Sequence, residues 1–463
     1  MGAGAVSISE TTEIAPTPPS PSSPFPVFMA EPTAYAPQKP AADLPLEKLL
    51  ELDQIDPLSP FRDHFHLPQG PYGRPATYLC GHSLGLQPKH ARRHVEQILD
   101  DWAQLGVLGH LEGQNPWLPY HEFLTSGWAH LVGAQENEVV GMNSLTVNLH
   151  LLMASFFQPE GKRRKILMEY KPFPSDVYAF QSQLAWHGLD PEQDLIELPG
   201  EPETNYVSRE AIMQVLEEQG EEIALVMLGG VNYYSGQFFP LEEITQKAHE
   251  KGCTVGLDLA HAVGNIPLRL HDWGVDFAAW CSYKYVNGGP GGLAGAFVHE
   301  KHAKDWRGPR LAGWWGQDKA SRFQMEPTFQ AIPTAEGWQL SNPPVLAAAP
   351  VRASLQLFMQ ADIQRLRARS LALTGYLADR LEQIPGVRIL TPAQPKERGC
   401  MLCISLTDHP APKQVFDQLQ PRGIIADWRE PSVMRITPAP LYNTFAELWH
   451  FAETLAELLE KTR

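Results

Sequence analysis

Cysteine is scarce: five thiols, Cys80, Cys253, Cys281, Cys400 and Cys403, in 463 residues. So sparse and odd a set gives no disulfide framework and favours a reducing compartment, with the cytoplasm as the expected location. Long apolar runs are also missing. None reaches the roughly 18 residues that a membrane helix needs, so no membrane association is expected. Positive charge is in deficit, with 37 Lys and Arg against 53 Asp and Glu and a net charge of −16. That balance excludes a dominant nucleic-acid surface. The local run Lys162-Arg163-Arg164-Lys165 reads as a solvated loop. The first 44 residues contain no arginine, which argues against a mitochondrial leader, and they lack the basic start and apolar stretch of a secretory signal. Val6 stands where a myristoylation signal beginning at Gly2 requires Ser or Thr.

What is present is an ordinary globular composition, 43% hydrophobic and 19% charged, in a chain too long for one core. Residues 1–44 are rich in Pro, Ser, Thr and Ala and read as a disordered tail. Residues 45–87 are expected to contribute to a small domain, 88–343 to form a large domain, and 344–463 to complete the small one. After Pro88, Val95, Ile98, Leu99, Trp102 and Leu105 recur at helical spacing and predict a core-facing helix. Between about 139 and 300, apolar β-rich runs (165–169, 223–228, 254–257, 276–281 and 293–298) alternate with helical patterns such as 241–250. This alternation predicts an α/β fold with a mainly parallel sheet, where ligands bind at the carboxyl ends of strands. Beyond Pro343-Pro344 the pattern predicts a long helix over 345–380, short strands at 387–390 and 401–406, and a last helix started by a Thr444/Glu447 capping box. Cys400 and Cys403 fall in alternating strand sequence and point to opposite faces, which disfavours metal or redox use.

Two segments carry chemistry: Gly256-Leu257-Asp258-Leu259-Ala260-His261, and Ser282-Tyr283-Lys284-Tyr285-Val286-Asn287-Gly288-Gly289. Each closes a predicted strand. An acid at a strand end can pair with a protonated pyridine nitrogen, and a nearby lysine can form an imine and then move protons. Separately, each has a plain structural reading as a cap or a solvated charge. Together they resemble the fold-type-I pyridoxal-phosphate enzymes. Asn143-Ser144-Leu145-Thr146-Val147-Asn148 opens a predicted helix whose free N–H groups suit a phosphate, although an ordinary N-cap at Asn143 or Ser144 reads equally from the residues.

Asn143 to His150, Phe173-Pro174-Ser175-Asp176, Asp258 to Asn265, Ser282 to Gly289 and Ser341-Asn342-Pro343-Pro344 together resemble the kynureninase family, from about residue 45 to the end. The resemblance implies pyridoxal 5'-phosphate as cofactor and hydrolysis of L-kynurenine or 3-hydroxy-L-kynurenine to L-alanine and an anthranilate, within tryptophan degradation. It makes Lys284 the Schiff-base lysine, Asp258 the pyridinium partner, and Leu145 with Thr146 the phosphate cup. Tyr283 would bind phosphate and assist proton transfer. Phe173 would stack on the ring, with Pro174, Ser175 and Asp176 beside it. His261, Trp314 and Asn342 would complete the site, some from a second subunit of a homodimer. Arg435 would clamp the substrate carboxylate, with His110, Asn342 and Ser83 at the rest of the substrate.

Two departures stand out: Gly229 replaces an expected Ser or Thr near the cofactor, and Gly81-His82-Ser83 replaces a usual Gly-Asn-Ser. The first would remove a phosphate hydrogen bond; the second bears on substrate preference. An aminotransferase or cysteine desulfurase would share Asp258, His261 and Lys284. A binding module that keeps the fold without the chemistry is the reading from another class.

Overall fold

A computed structural model of the chain describes residues 35–406 and 408–461. The strands in chain order are β1 (Thr77–Tyr78), β2 (Val139–Gly141), β3 (Lys165–Met168), β4 (Leu195–Glu197), β5 (Ile223–Gly229), β6 (Thr254–Asp258), β7 (Phe277–Trp280), β8 (Gly295–Val298), β9 (Arg388–Ile389), β10 (Leu402–Ser405), β11 (Ile424–Ile425), β12 (Asp427–Arg429) and β13 (Val433–Ile436). Seven form the central sheet in the order β2-β8-β7-β6-β5-β3-β4. β4, β3, β5, β6 and β7 pair in parallel, and β8 runs antiparallel to both of its neighbours. The expected mainly parallel α/β sheet is therefore present. Its strands are apolar on both faces: Val226 and Leu228 of β5 join one buried cluster, Leu225 and Met227 the other. Each such side chain contributes roughly 1.5–3 kcal/mol on burial. Helices cover both faces, so the polar chemistry is confined to the strand ends.

A second core gathers Leu373, Leu377, Leu402, Ile404, Met434, Ile436, Leu448 and Leu455, together with Leu49 and Leu79 from the N-terminal segment. Its sheet has the order β12-β13-β10-β9. β1 pairs in parallel with β11, tying the N-terminal segment to the C-terminal part. The last helix, Phe445–Lys461, has its capping box: Glu447 N–H donates to Thr444 Oγ1 at 3.2 Å, and Thr444 N–H to a Glu447 carboxylate oxygen at 3.2 Å.

Four expectations change. The helix expected over 345–380 is two helices, Val345–Ala361 and Ile363–Glu382, broken at Asp362, whose φ is +66°. Asp362 Oδ1 accepts the amides of Gln364 and Arg365, so the residue caps the second helix. In the Lys89–Leu105 helix the buried residues are Ala91, Ile98 and Asp101, whereas Leu99 and Trp102 are exposed. The basic run is paired rather than solvated: Arg164 meets Asp194 at 2.9 Å, Lys165 meets Glu222 at 2.6 Å, and Arg163 donates to the carbonyls of Gly220, Ile223 and Lys251. Of the expected tail, residues 1–34 lie outside the described residues. Residues 35–44 are held: Tyr35 OH donates to Asp56 Oδ1 at 2.8 Å, and Arg380 to the Ala42 carbonyl at 2.9 Å.

Candidate active site

The carboxyl ends of β2, β3, β5, β6 and β7 converge. Asp258 ends β6, in register with Gly229 on β5 and Ala279 on β7. Its Oδ1 accepts the Ala260 amide at 2.8 Å. Burial raises its proton affinity, while the Ala260 amide, Lys284 and a hydrogen bond from Asp176 lower it. Asp176, in the first turn of the Pro174–Trp186 helix, is pushed well up by burial and by the charges of Asp258 and Glu169. Of this hydrogen-bonded pair, Asp176 is the acid pushed further toward its protonated form.

Lys284 follows β7. Its Nζ lies 3.0 Å from His261 Nε2, and His261 Nδ1 lies 3.2 Å from the Tyr285 hydroxyl. Burial and the Lys284 charge hold His261 well below its usual range, so the ring is neutral. An ammonium on Lys284 donates to Nε2, which leaves Nδ1–H to donate to the Tyr285 oxygen. Among the described residues no carboxylate pairs with Lys284. The N-terminal segment closes on this loop through Gly85, whose amide donates to the Tyr283 carbonyl at 2.8 Å. A Cβ at Gly85 would collide with Asn287 and the Lys284 carbonyl. Tyr283 is half-buried, and burial with the neighbouring Cys281 raises its phenol, keeping the proton on oxygen.

The Leu145–Phe156 helix begins at Ser144, whose side chain caps nothing. The ordinary N-cap reading therefore falls away and the first-turn amides stay available. Asn143 enters the turn at φ +48°, its side chain bonded to Asn148 at 3.0 Å. Thr146 Oγ1 and Ser175 Oγ, from the starts of two helices, are 3.1 Å apart. Uncapped amides, two hydroxyls, a free amine and a buried acid at a strand end match the phosphate, carbonyl and ring nitrogen of pyridoxal phosphate. The residues fit the cofactor.

Arg435 lies on β13 and is 2% exposed. Its Nε donates to Asp427 Oδ2 at 2.6 Å, its Nη2 pairs with the same oxygen, and its Nη1 donates to the Tyr233 carbonyl at 2.8 Å. Tyr233 meets Phe173 edge-on at 5.2 Å between ring centroids. The expected carboxylate clamp is therefore joined to the expected stacking ring.

Gly229 has a different explanation from the one its position implied. Its amide donates to Glu169, the residue after β3, and a Cβ there would come within 2.8 Å of the Glu169 carboxylate. The glycine admits an acid beside Asp258. Asn232 also donates to Glu169, at 3.0 Å, and burial raises Glu169 to about 7. His82 is fully buried, with Nδ1 2.7 Å from Thr437 Oγ1 and Nε2 3.6 Å from Asp427.

The remaining expected residues are not brought onto the Lys284 cluster by this chain alone. Trp314 is 47% exposed, donates to the Arg322 carbonyl and meets Phe323 edge-on. Asn342 and Ser83 are exposed. His110 lies against Trp117, with Nδ1 3.0 Å from the Val107 carbonyl, so Nδ1–H donates and Nε2 is left an acceptor. Glu169, Asn232, Tyr233 and Asp427 are site residues that the sequence reading did not single out. The spacing of Asp427 and Arg435 around Pro431 could have revealed one of them, because a tight hairpin there sets the two opposite each other.

The chain is 53% identical over 407 residues to a kynureninase from Myxococcus xanthus (strain DK1622), covering 88% of this chain and 95% of the relative. A kynureninase from Nematostella vectensis is 48% identical over 429 residues, 87% and 92% respectively. The chain belongs to the kynureninase family. Residues 366–455 match the family described as Kynureninase C-terminal domain. Solved structures of other proteins share the fold of this kynureninase-family chain at low identity. A C-DES mutant with glycine covalently linked to its PLP cofactor superimposes with a TM-score of 0.71 at 18% identity, covering 84% of this chain and 98% of that one. The cysteine desulfurase CsdA from Escherichia coli gives 0.70 at 17%, covering 88% and 99%.

Proposed function

We propose that this chain hydrolyses the Cβ–Cγ bond of L-kynurenine or 3-hydroxy-L-kynurenine, giving L-alanine and anthranilate or 3-hydroxyanthranilate, with pyridoxal 5'-phosphate held on Lys284. The observation that carries the reading is the Lys284 amine, 3.0 Å from His261 Nε2, beside a buried Asp258 at the end of β6. When bound, the cofactor supplies the electron sink that carbon–carbon cleavage beside an amino acid needs. Asp258 balances positive charge at the ring nitrogen. The Leu145 and Thr146 end of the helix, with Ser175, receives the phosphate, and Phe173 stacks on the ring. Lys284, once displaced by the substrate amine, is the base for the Cα proton, and His261 Nε2 keeps its Nζ oriented. Tyr283 keeps its proton across the working range and serves as a donor. Arg435 binds the substrate carboxylate in a geometry that lysine cannot copy.

Exposure of Trp314 and Asn342 in one chain supports a homodimer in which they, with His110, complete a neighbouring site; sedimentation at assay concentration tests it, and a monomer with full activity contradicts it. Among the described residues no helix is long and apolar enough to cross a membrane. Cysteines without disulfide partners, four of the five buried, accord with a cytoplasmic setting, and the proposed reaction is a step of tryptophan degradation that feeds NAD synthesis.

A desulfurase needs an accessible, mobile cysteine thiolate. Cys400 and Cys403 are buried, and burial pushes both up to about 12, which disfavours that reading. The deciding variant is Lys284→Ala: anthranilate formation should disappear along with the visible band that pyridoxal phosphate gives on the protein. Turnover by that variant would sink the proposal.

A further inference from the structure

A carboxylate beside the arginine that should receive a carboxylate is unexpected, because like charges oppose binding. Asp427 occupies that place. β12 and β13 are antiparallel with Asp427 directly opposite Arg435, so both side chains rise from one face of the sheet. β13 is an inner strand, flanked by β12 and β10, so this pair stands on a rigid base. Asp427 Oδ2 takes both Nε and Nη2 of Arg435. Nη1 is engaged by the Tyr233 carbonyl, which the Asn232 side chain fixes by accepting the amides of Tyr234 and Ser235 at 3.0 and 2.9 Å. A guanidinium has five N–H donors. Three have protein acceptors, and one remains on each terminal nitrogen: a fork matched to a second carboxylate.

The charge balance permits that second anion. Arg429 Nε stands 3.2 Å from the same Asp427 oxygen. Two guanidiniums share one carboxylate, leaving one positive charge uncompensated. The same balance argues against reading Cys80, His82 and Asp427, whose ligand atoms lie together, as a cation site. Behind Asp427 stands His82, with Nε2 buried and without a hydrogen-bond partner.

We propose that Asp427 is a positioning residue for substrate recognition: it holds Arg435 so that one N–H of each terminal nitrogen faces the substrate carboxylate, with His82 packed behind it as a neutral support. The proposal rests on Arg435 being the carboxylate clamp. Asp427 fixes the guanidinium plane, Tyr233 fixes its rotation, and the Phe173 ring against Tyr233 registers the clamp to the cofactor plane. Burial and the Arg435 charge hold His82 down at about 4 against the pull of Asp427, so the imidazole stays uncharged at neutral pH. Burial raises Asp427, but the adjacent His82 side chain and the Arg435 charge outweigh it and keep the acid ionised, at about 2.

The test compares two amines on the holoenzyme, followed by the visible spectrum: L-alanine, which carries the carboxylate, and ethylamine, which lacks it. In Asp427→Asn the resting spectrum should match the parent, L-alanine should bind about tenfold or more weakly, and ethylamine should bind within about twofold of the parent. KM for kynurenine should rise in parallel, with a smaller fall in kcat. Equal weakening of both amines, or of neither, overturns the proposal. Arg435→Ala separates the underlying reading: if it too leaves the alanine-to-ethylamine ratio unchanged, the clamp assignment itself fails. If it shifts that ratio and Asp427→Asn does not, only the role of Asp427 fails. Should Asp427→Asn not fold, Asp427→Glu, which keeps the charge but displaces it, carries the same comparison.

Discussion

Glu169 faces two neutral donors, the Gly229 amide and the Asn232 side chain, and among the described residues no cation pairs with it, while Asp258 adds repulsion. Its folded value of about 7 lies above the ordinary 4.5, so protonation favours the folded state. The contribution is complete below about 4.5 and is lost as pH rises through about 7. In the apoprotein, Glu169→Gln should therefore flatten the pH dependence of unfolding free energy between about pH 5 and 8, by an amount on the order of 3 kcal/mol. Parallel curves for the two proteins, measured by denaturant titration, would contradict the assignment. Residues of this kind are hard to read from sequence. Asp258 and Lys284 were legible because one ends a strand and the other closely follows one, each inside a motif, whereas Glu169 is a lone acid whose partners, Gly229 and Asn232, lie some sixty positions away.

At the scale of elements, local rules worked where the determinant was local. The Thr444/Glu447 box opens the last helix; of the residues whose spacing puts them on one face, Leu448, Ala452, Leu455 and Leu459 are buried and Trp449 is half-buried. Thr444→Ala should cost about 1 kcal/mol by thermal or chemical unfolding and leave kcat unchanged. No loss of stability would mean that the cap is redundant. The break at Asp362 escaped notice because an acid in an apolar periodic run reads as an exposed helical position, not as the cap of a new helix. The Lys89–Leu105 helix shows the opposite limit. Spacing marks its apolar side, but the residues that become covered depend on which neighbour packs there, and Leu99 and Trp102 remain uncovered in the single chain.

For the whole molecule, the sheet order places five strand ends around one lysine, and the second core carries Arg435 to the same region through Tyr233. The alternation of strands and helices made that architecture legible. The approach of β13 to the loop after β5 was not, because it depends on tertiary packing between segments about 200 residues apart. Hydrolytic cleavage at Cβ–Cγ is tested by turnover of L-kynurenine by the holoenzyme in water enriched in oxygen-18, with both products analysed by mass. Equimolar L-alanine and anthranilate are expected, with at least one heavy oxygen in the anthranilate carboxyl and none acquired by alanine. Loss of the amino group without chain cleavage, or anthranilate free of heavy oxygen, would contradict it.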